Sequence, residues 1–148
     1  MAGMFTPDAL REAHRRTHLG TSRVLEHCRQ LSAEEFQREL PGFGYPTVQL
    51  QLHHILSAEE YWLTVLQRQP LAEEEYPQNY LTVDDLLDYQ RQVMGRMLAY
   101  LGRMDSAALA QPARFTVWGG DSVELLPEMV VMRLVTHPFQ HRGQVLAM

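Results

Sequence analysis

Side chains suited to a buried face recur every three or four residues over long stretches of this chain, and that period points to helices packed on one another. The first stretch runs through Leu10, His14, Thr17, Thr21, Val24, Cys28 and Leu31 and reads as one long helix. Thr6-Pro7-Asp8 is a good start for it: a capping hydroxyl, a proline at the first helical position and an acid near the positive end of the helix dipole. Pro41-Gly42-Phe43-Gly44-Tyr45-Pro46 ends it. A second helix is expected from Pro46 or Thr47 to about Gln69. The stretch from Pro70 to Leu81, with Glu73, Glu74, Glu75 and Pro77, is expected to be loop. Thr82-Val83-Asp84-Asp85 resembles a capping box with a shorter acid at its fourth position, opening a third helix through Leu86, Val93, Met97 and Leu101. Arg114-Phe115-Thr116-Val117-Trp118 then alternates in side-chain type and is followed by Gly119-Gly120-Asp121-Ser122, which predicts a short hairpin. A fourth helix is expected from near Pro127 to the C-terminus. The prediction is an all-α four-helix bundle with one long connection and a short hairpin-like insertion before the last helix, in one domain over residues 1–148.

Composition narrows the partners. The 148 residues include 45 % hydrophobic and 21 % charged side chains, close to a globular average, with a formal charge of -5. The longest basic cluster is Arg15-Arg16, so nucleic acid is not expected as a partner, since its binding rests on a basic face. No apolar stretch approaches the ~20 residues that span a bilayer, so no membrane is expected either. Cys28 is the sole cysteine, which excludes an internal disulfide and fits a reducing compartment. The opening residues lack the pattern of a signal peptide, and a cytoplasmic location is expected. Cys28 itself reads as a core residue.

The chemistry centres on histidine. His137 and His141 are four residues apart and project about 40° from each other on one helix face. Val130, Leu134, Val145 and Met148 lie on the same side, so both imidazoles are expected to face the interior. Two such imidazoles can hold one metal ion, and a catalytic site needs a third protein ligand and an open position. His14 and His18 have the same spacing on the first helix, with His14 on its apolar side. Spacing alone does not choose between the two pairs.

Two longer motifs carry a resemblance. The last helix reads Thr136-His137-Pro138-Phe139-Gln140-His141-Arg142-Gly143-Gln144, and the second reads Leu52-His53-His54-Ile55-Leu56-Ser57-Ala58-Glu59-Glu60-Tyr61-Trp62. Together they resemble the DinB-like family of metal-binding four-helix proteins, which includes thiol-dependent transferases. The resemblance covers nearly the whole chain. It implies His54, His137 and His141 as metal ligands and leaves out His53, because His54 lies five residues before Glu59 as the motif requires. Pro138 departs from the simple pattern. Its ring removes the N–H that would bond the Leu134 carbonyl, at ~3 kcal/mol or more in an ordinary helix, and a kink between the two ligands is expected.

Helix geometry nominates neighbours. Tyr61 and Val65 project within about 20° of His54 and Ala58 within about 40°, as pocket walls or as ordinary core. Gln144 lies about 20° from His137, placed to bond a metal-bound water or a ligand's outer nitrogen, or to be solvated near the chain end. Glu59 projects about 140° from His54 and Arg142 about 140° from His137, each among apolar residues. Both are expected to be buried hydrogen-bonding groups that hold helices together. Gly143 is expected to allow close helix approach.

The resemblance implies a divalent ion, zinc, nickel or iron, and a reaction adding a low-molecular-weight thiol such as bacillithiol, mycothiol or glutathione to a small-molecule electrophile. Metal-dependent hydrolysis is the close alternative, and a non-catalytic metal-binding stress-response module or a metal-free core are others. The family is commonly dimeric, so a homodimer is expected.

Overall fold

The computed structural model describes residues 3–71 and 76–148. Glu73, Glu74 and Glu75, expected in a loop, lie outside the described residues. Four long helices make the body: α1 (Pro7–His27), α3 (Val48–Leu66), α4 (Val83–Gly102) and α6 (Pro127–Ala147). Two single-turn helices, α2 (Ala33–Phe36) and α5 (Ser106–Leu109), come after α1 and α4 respectively. A hairpin of β1 (Ala113–Thr116) and β2 (Ser122–Leu125) precedes α6. α1 packs on α4 and α6, and α3 packs on the same two, so α1 and α3 occupy opposite corners of the bundle. No described helix is long and apolar enough to cross a membrane.

The helix starts obey their local chemistry. The Thr6 hydroxyl accepts from the Ala9 N–H with Pro7 next in line, and Thr47 accepts from the Leu50 N–H. Thr82 and Asp85 form the reciprocal capping box in full. The first helix is shorter than its period suggests. α1 stops at His27, a 3₁₀ turn covers Cys28–Gln30, and Leu31 is extended, because Ser32 and Glu35 make a capping box of their own and start α2. In the hairpin, Ala113 pairs with Leu125 and Thr116 with Ser122. The turn between the strands places Gly119 and Gly120 at φ 80° and 81°, a region open to glycine at no steric cost. α6 runs unbroken through Pro138. Near the carbonyl that proline frees, the Thr17 hydroxyl of α1 donates to the Val135 carbonyl at 3.0 Å.

The interior is layered. One apolar cluster gathers Leu10, Leu63, Leu66, Met97, Leu101, Val131 and Leu134. A second gathers Leu25, Leu52, Leu56, Leu86, Val93 and Val145 toward the other end. On α1 the buried residues between Leu10 and Leu25 are all polar: His14, Thr17, His18 and Thr21. Glu59 on α3 and Gln90 on α4 meet them there. Arg142 from α6 joins the same level, donating to the Thr17 carbonyl at 2.8 Å and stacking its guanidinium over Phe139. A Cβ at Gly20 would overlap that guanidinium, whereas Gly143 is exposed with nothing near its missing Cβ. The close approach expected at Gly143 therefore occurs at Gly20.

Candidate metal centre

α3 and α6 lie side by side, and His54 from one meets His137 and His141 from the other. The three ring centroids are 4.5–5.0 Å apart, each pair edge to face. One nitrogen from each ring lies within 4.8 Å of the other two. His137 Nε2 and His141 Nε2 are 3.0 Å apart, so Pro138 leaves both rings on one face. Two nitrogens bound at ~2.0–2.1 Å to one tetrahedral ion would sit roughly 3.3 Å apart, so this spacing is close to what a shared ion asks for. Tyr45, in the segment before α3, stacks on His54 at 4.1 Å and presents an edge to His141. Burial first, and then the charge of neighbouring groups, pushes the His54 and His137 pKa values down to about 4. For His54 the neighbours are His141, His137 and His53; for His137 they are His141 and Arg133. Burial also lowers that of His141. At neutral pH these rings therefore carry the free lone pairs that a metal requires.

Gln51, one turn before His54, settles which nitrogen of His141 is free. Its amide nitrogen donates to the Tyr45 carbonyl at 2.9 Å, which turns its oxygen toward His141 Nδ1 at 2.7 Å. A carbonyl oxygen only accepts, so Nδ1 carries the proton and Nε2 presents its lone pair to His137 and His54. This is the outer-shell bond that metal-bound histidines ordinarily make. The donor set, three neutral imidazoles with one oriented by an amide, fits zinc, nickel or iron.

The other pair, His14 and His18, also gathers three donor atoms within 4.8 Å, the third from Glu59. Here the wiring is reversed. Gln90 donates its amide nitrogen to the His18 carbonyl at 2.9 Å and, from the same nitrogen, to His18 Nδ1 at 3.1 Å, while its oxygen accepts from Ser22. His18 Nδ1 is thereby an acceptor, and the proton sits on Nε2, which donates to Glu59 at 2.7 Å. His14 Nε2 meets the other carboxylate oxygen at 2.5 Å. Burial alone would raise the Glu59 pKa, but attraction to His18 and hydrogen bonds from His14 and His18 outweigh it and hold the carboxyl well below the usual range. The nitrogens that would face a metal carry protons committed to Glu59. Glu59 and Arg142 are the buried helix-bridging groups that their apolar faces demand.

His54 and His137 open onto a cavity of about 750 Å³. Ala58 and Tyr61 line it, as helix geometry proposes, with Trp62 and Leu134 beside them. Val65 does not; it is buried in the adjoining core. Gln144 is half-buried beside the His141 ring, and a side-chain hydrogen bond between them partly offsets the effect of burial on that ring. His53 points away, between Tyr80 and Tyr89. The hairpin closes one side of the cavity with Val117, Trp118, Val123 and Leu125. Tyr61 holds it there, packing on the Trp118 indole at 4.1 Å and accepting from the Trp118 backbone N–H at 3.1 Å. Helix periodicity did not single out Gln51, Tyr45, Trp118 or Arg133. Gln51 and Arg133 carry a signal all the same, each lying one turn from a candidate ligand on its own helix.

A family model described as the DinB superfamily matches residues 16–145. Among curated proteins none matches the chain at a significant level.

Proposed function

Because the chain belongs to the DinB superfamily, we propose that His54, His137 and His141 hold one divalent ion, zinc, nickel or iron, and that the protein is a transferase joining a low-molecular-weight thiol to a small electrophile. The observation that carries this reading is the Gln51 bond, which directs the His141 lone pair inward, taken with the cavity that His54 and His137 face. A non-catalytic metal module would need no such opening beside its ligands. The bound ion would supply Lewis acidity, favouring the ionised form of a thiol or of water near neutral pH.

The chain's own residues do the rest. Gln51 holds the His141 ring and its tautomer, and Tyr45 holds the plane of His54. Tyr61, Trp62 and Trp118 provide apolar walls that exclude water and orient an electrophile against the ligand face. The same reading takes the protein as a cytoplasmic homodimer. Hydrolysis is a second reading, favoured by the buried side-chain oxygen of Gln144, three residues after His141, which would accept a hydrogen bond from a water molecule and so help to orient it. The test is turnover. Metal-loaded protein supplied with glutathione and 1-chloro-2,4-dinitrobenzene should conjugate them faster than the His54→Ala variant does. Equal rates for the two proteins would remove the transferase reading.

A further inference from the structure

Among the residues that line the cavity, Arg133 is the one with a permanent charge; the others are aromatic, aliphatic, small or neutral imidazole. It stands on α6 one turn before His137, so its Cβ lies about 5–6 Å from that of the ligand, on the same helix face. Many arginines of this acidic chain are paired: Arg11 with Asp8, Arg16 with Glu12, Arg29 with Glu26 and Asp84, Arg96 with Glu60. Arg133 has no carboxylate partner among the described residues. The residue is exposed, and its charge is felt at His137. A lone planar cation at the edge of an apolar, aromatic cavity matches a ligand with an apolar body and a carboxylate.

We propose that Arg133 makes this cavity selective for carboxylates, binding the acid group of a molecule whose other end reaches the three histidines. The inference rests on the proposed metal site for the place of the reacting end. The acid group can belong to the thiol or to the electrophile.

Matched pairs that differ only in charge test it. In the first arm, cobalt-loaded protein is titrated with 3-mercaptopropionate and with 2-mercaptoethanol, following the thiolate-to-cobalt absorption band. In the second, 3-phenylpropionate and 3-phenylpropanol are titrated against the fluorescence of Trp62 and Trp118, which requires no metal. The acid should bind about tenfold more tightly than its neutral partner in at least one arm, as a single charge-assisted pair allows. Arg133→Gln should remove that preference and leave the neutral compound's affinity unchanged, while Arg133→Lys should keep part of it. A preference in the first arm assigns the carboxylate to the thiol, and one confined to the second assigns it to the electrophile. Equal binding of acid and neutral compound in both arms, or a preference that survives Arg133→Gln, overturns the inference. Failure to take up cobalt would instead count against the metal site, and the second arm would still decide the role of Arg133.

Discussion

At the scale of single residues, two glutamines separate two histidine pairs that spacing leaves equal. Gln51 offers an oxygen to His141 Nδ1, and Gln90 offers an amide nitrogen to His18 Nδ1. One ring is left with an inward lone pair and the other with an inward proton. Gln51→Leu should therefore weaken metal binding by about 10–100-fold with the fold retained, read by competition with a chromophoric chelator. Affinity within about twofold of wild type would mean that the tautomer is not held by Gln51. The histidines were legible in the sequence because their motif is local to each helix. The glutamines were not, because each acts on a ring from another helix, a relation no single-helix period contains. The same burial sets a pH dependence. His54 and His137 titrate near pH 4 in the folded chain and near 6.5 when unfolded. Between those values the unfolded chain binds more protons, so stability present above pH 6.5 is lost as pH falls toward 4. Metal-free protein should melt at a lower temperature at about pH 5 than at about pH 7.5; an unchanged melting temperature would contradict the burial of these rings.

At the scale of elements, helix starts were readable because capping is a local exchange of hydrogen bonds, and the Thr82 box formed with its short acid. The end of α1 was not readable, since the period continues to Leu31 while the Ser32–Glu35 box starts a new turn. Helix contact was misplaced by a glycine. Gly143 faces open space, and Gly20 admits the Arg142 side chain that ties α6 to α1. Arg142 cannot step aside without giving up the Thr17 carbonyl and the Phe139 ring. Gly20→Ala should destabilise the protein by about 1–3 kcal/mol despite its better helix propensity. Gly143→Ala should be neutral or stabilising by up to about 1 kcal/mol. Urea midpoints measure both, and the reverse order would show that α1 and α6 do not meet through Gly20.

At the scale of the whole molecule, two apolar clusters are separated by a polar layer, and the candidate centre opens to a cavity that the hairpin helps to close. The bundle was legible because four amphipathic periods leave few ways to bury their faces. The polar layer was visible only as isolated oddities, His14 and Glu59 on apolar faces, because their partners come from opposite corners of the bundle. The cavity's wall was hidden for a similar reason, since Trp118 reaches it from the hairpin turn. This arrangement sets the two histidine clusters apart: one presents free lone pairs beside a cavity, and the other ties the helices together. The most direct test is the metal content of protein purified without a histidine tag, for wild type and for single alanine variants. Wild type and His18→Ala, where the latter folds, should each carry one divalent ion per chain, while His54→Ala, His137→Ala and His141→Ala should each lose it. Substoichiometric metal that none of those three substitutions abolishes would contradict the account.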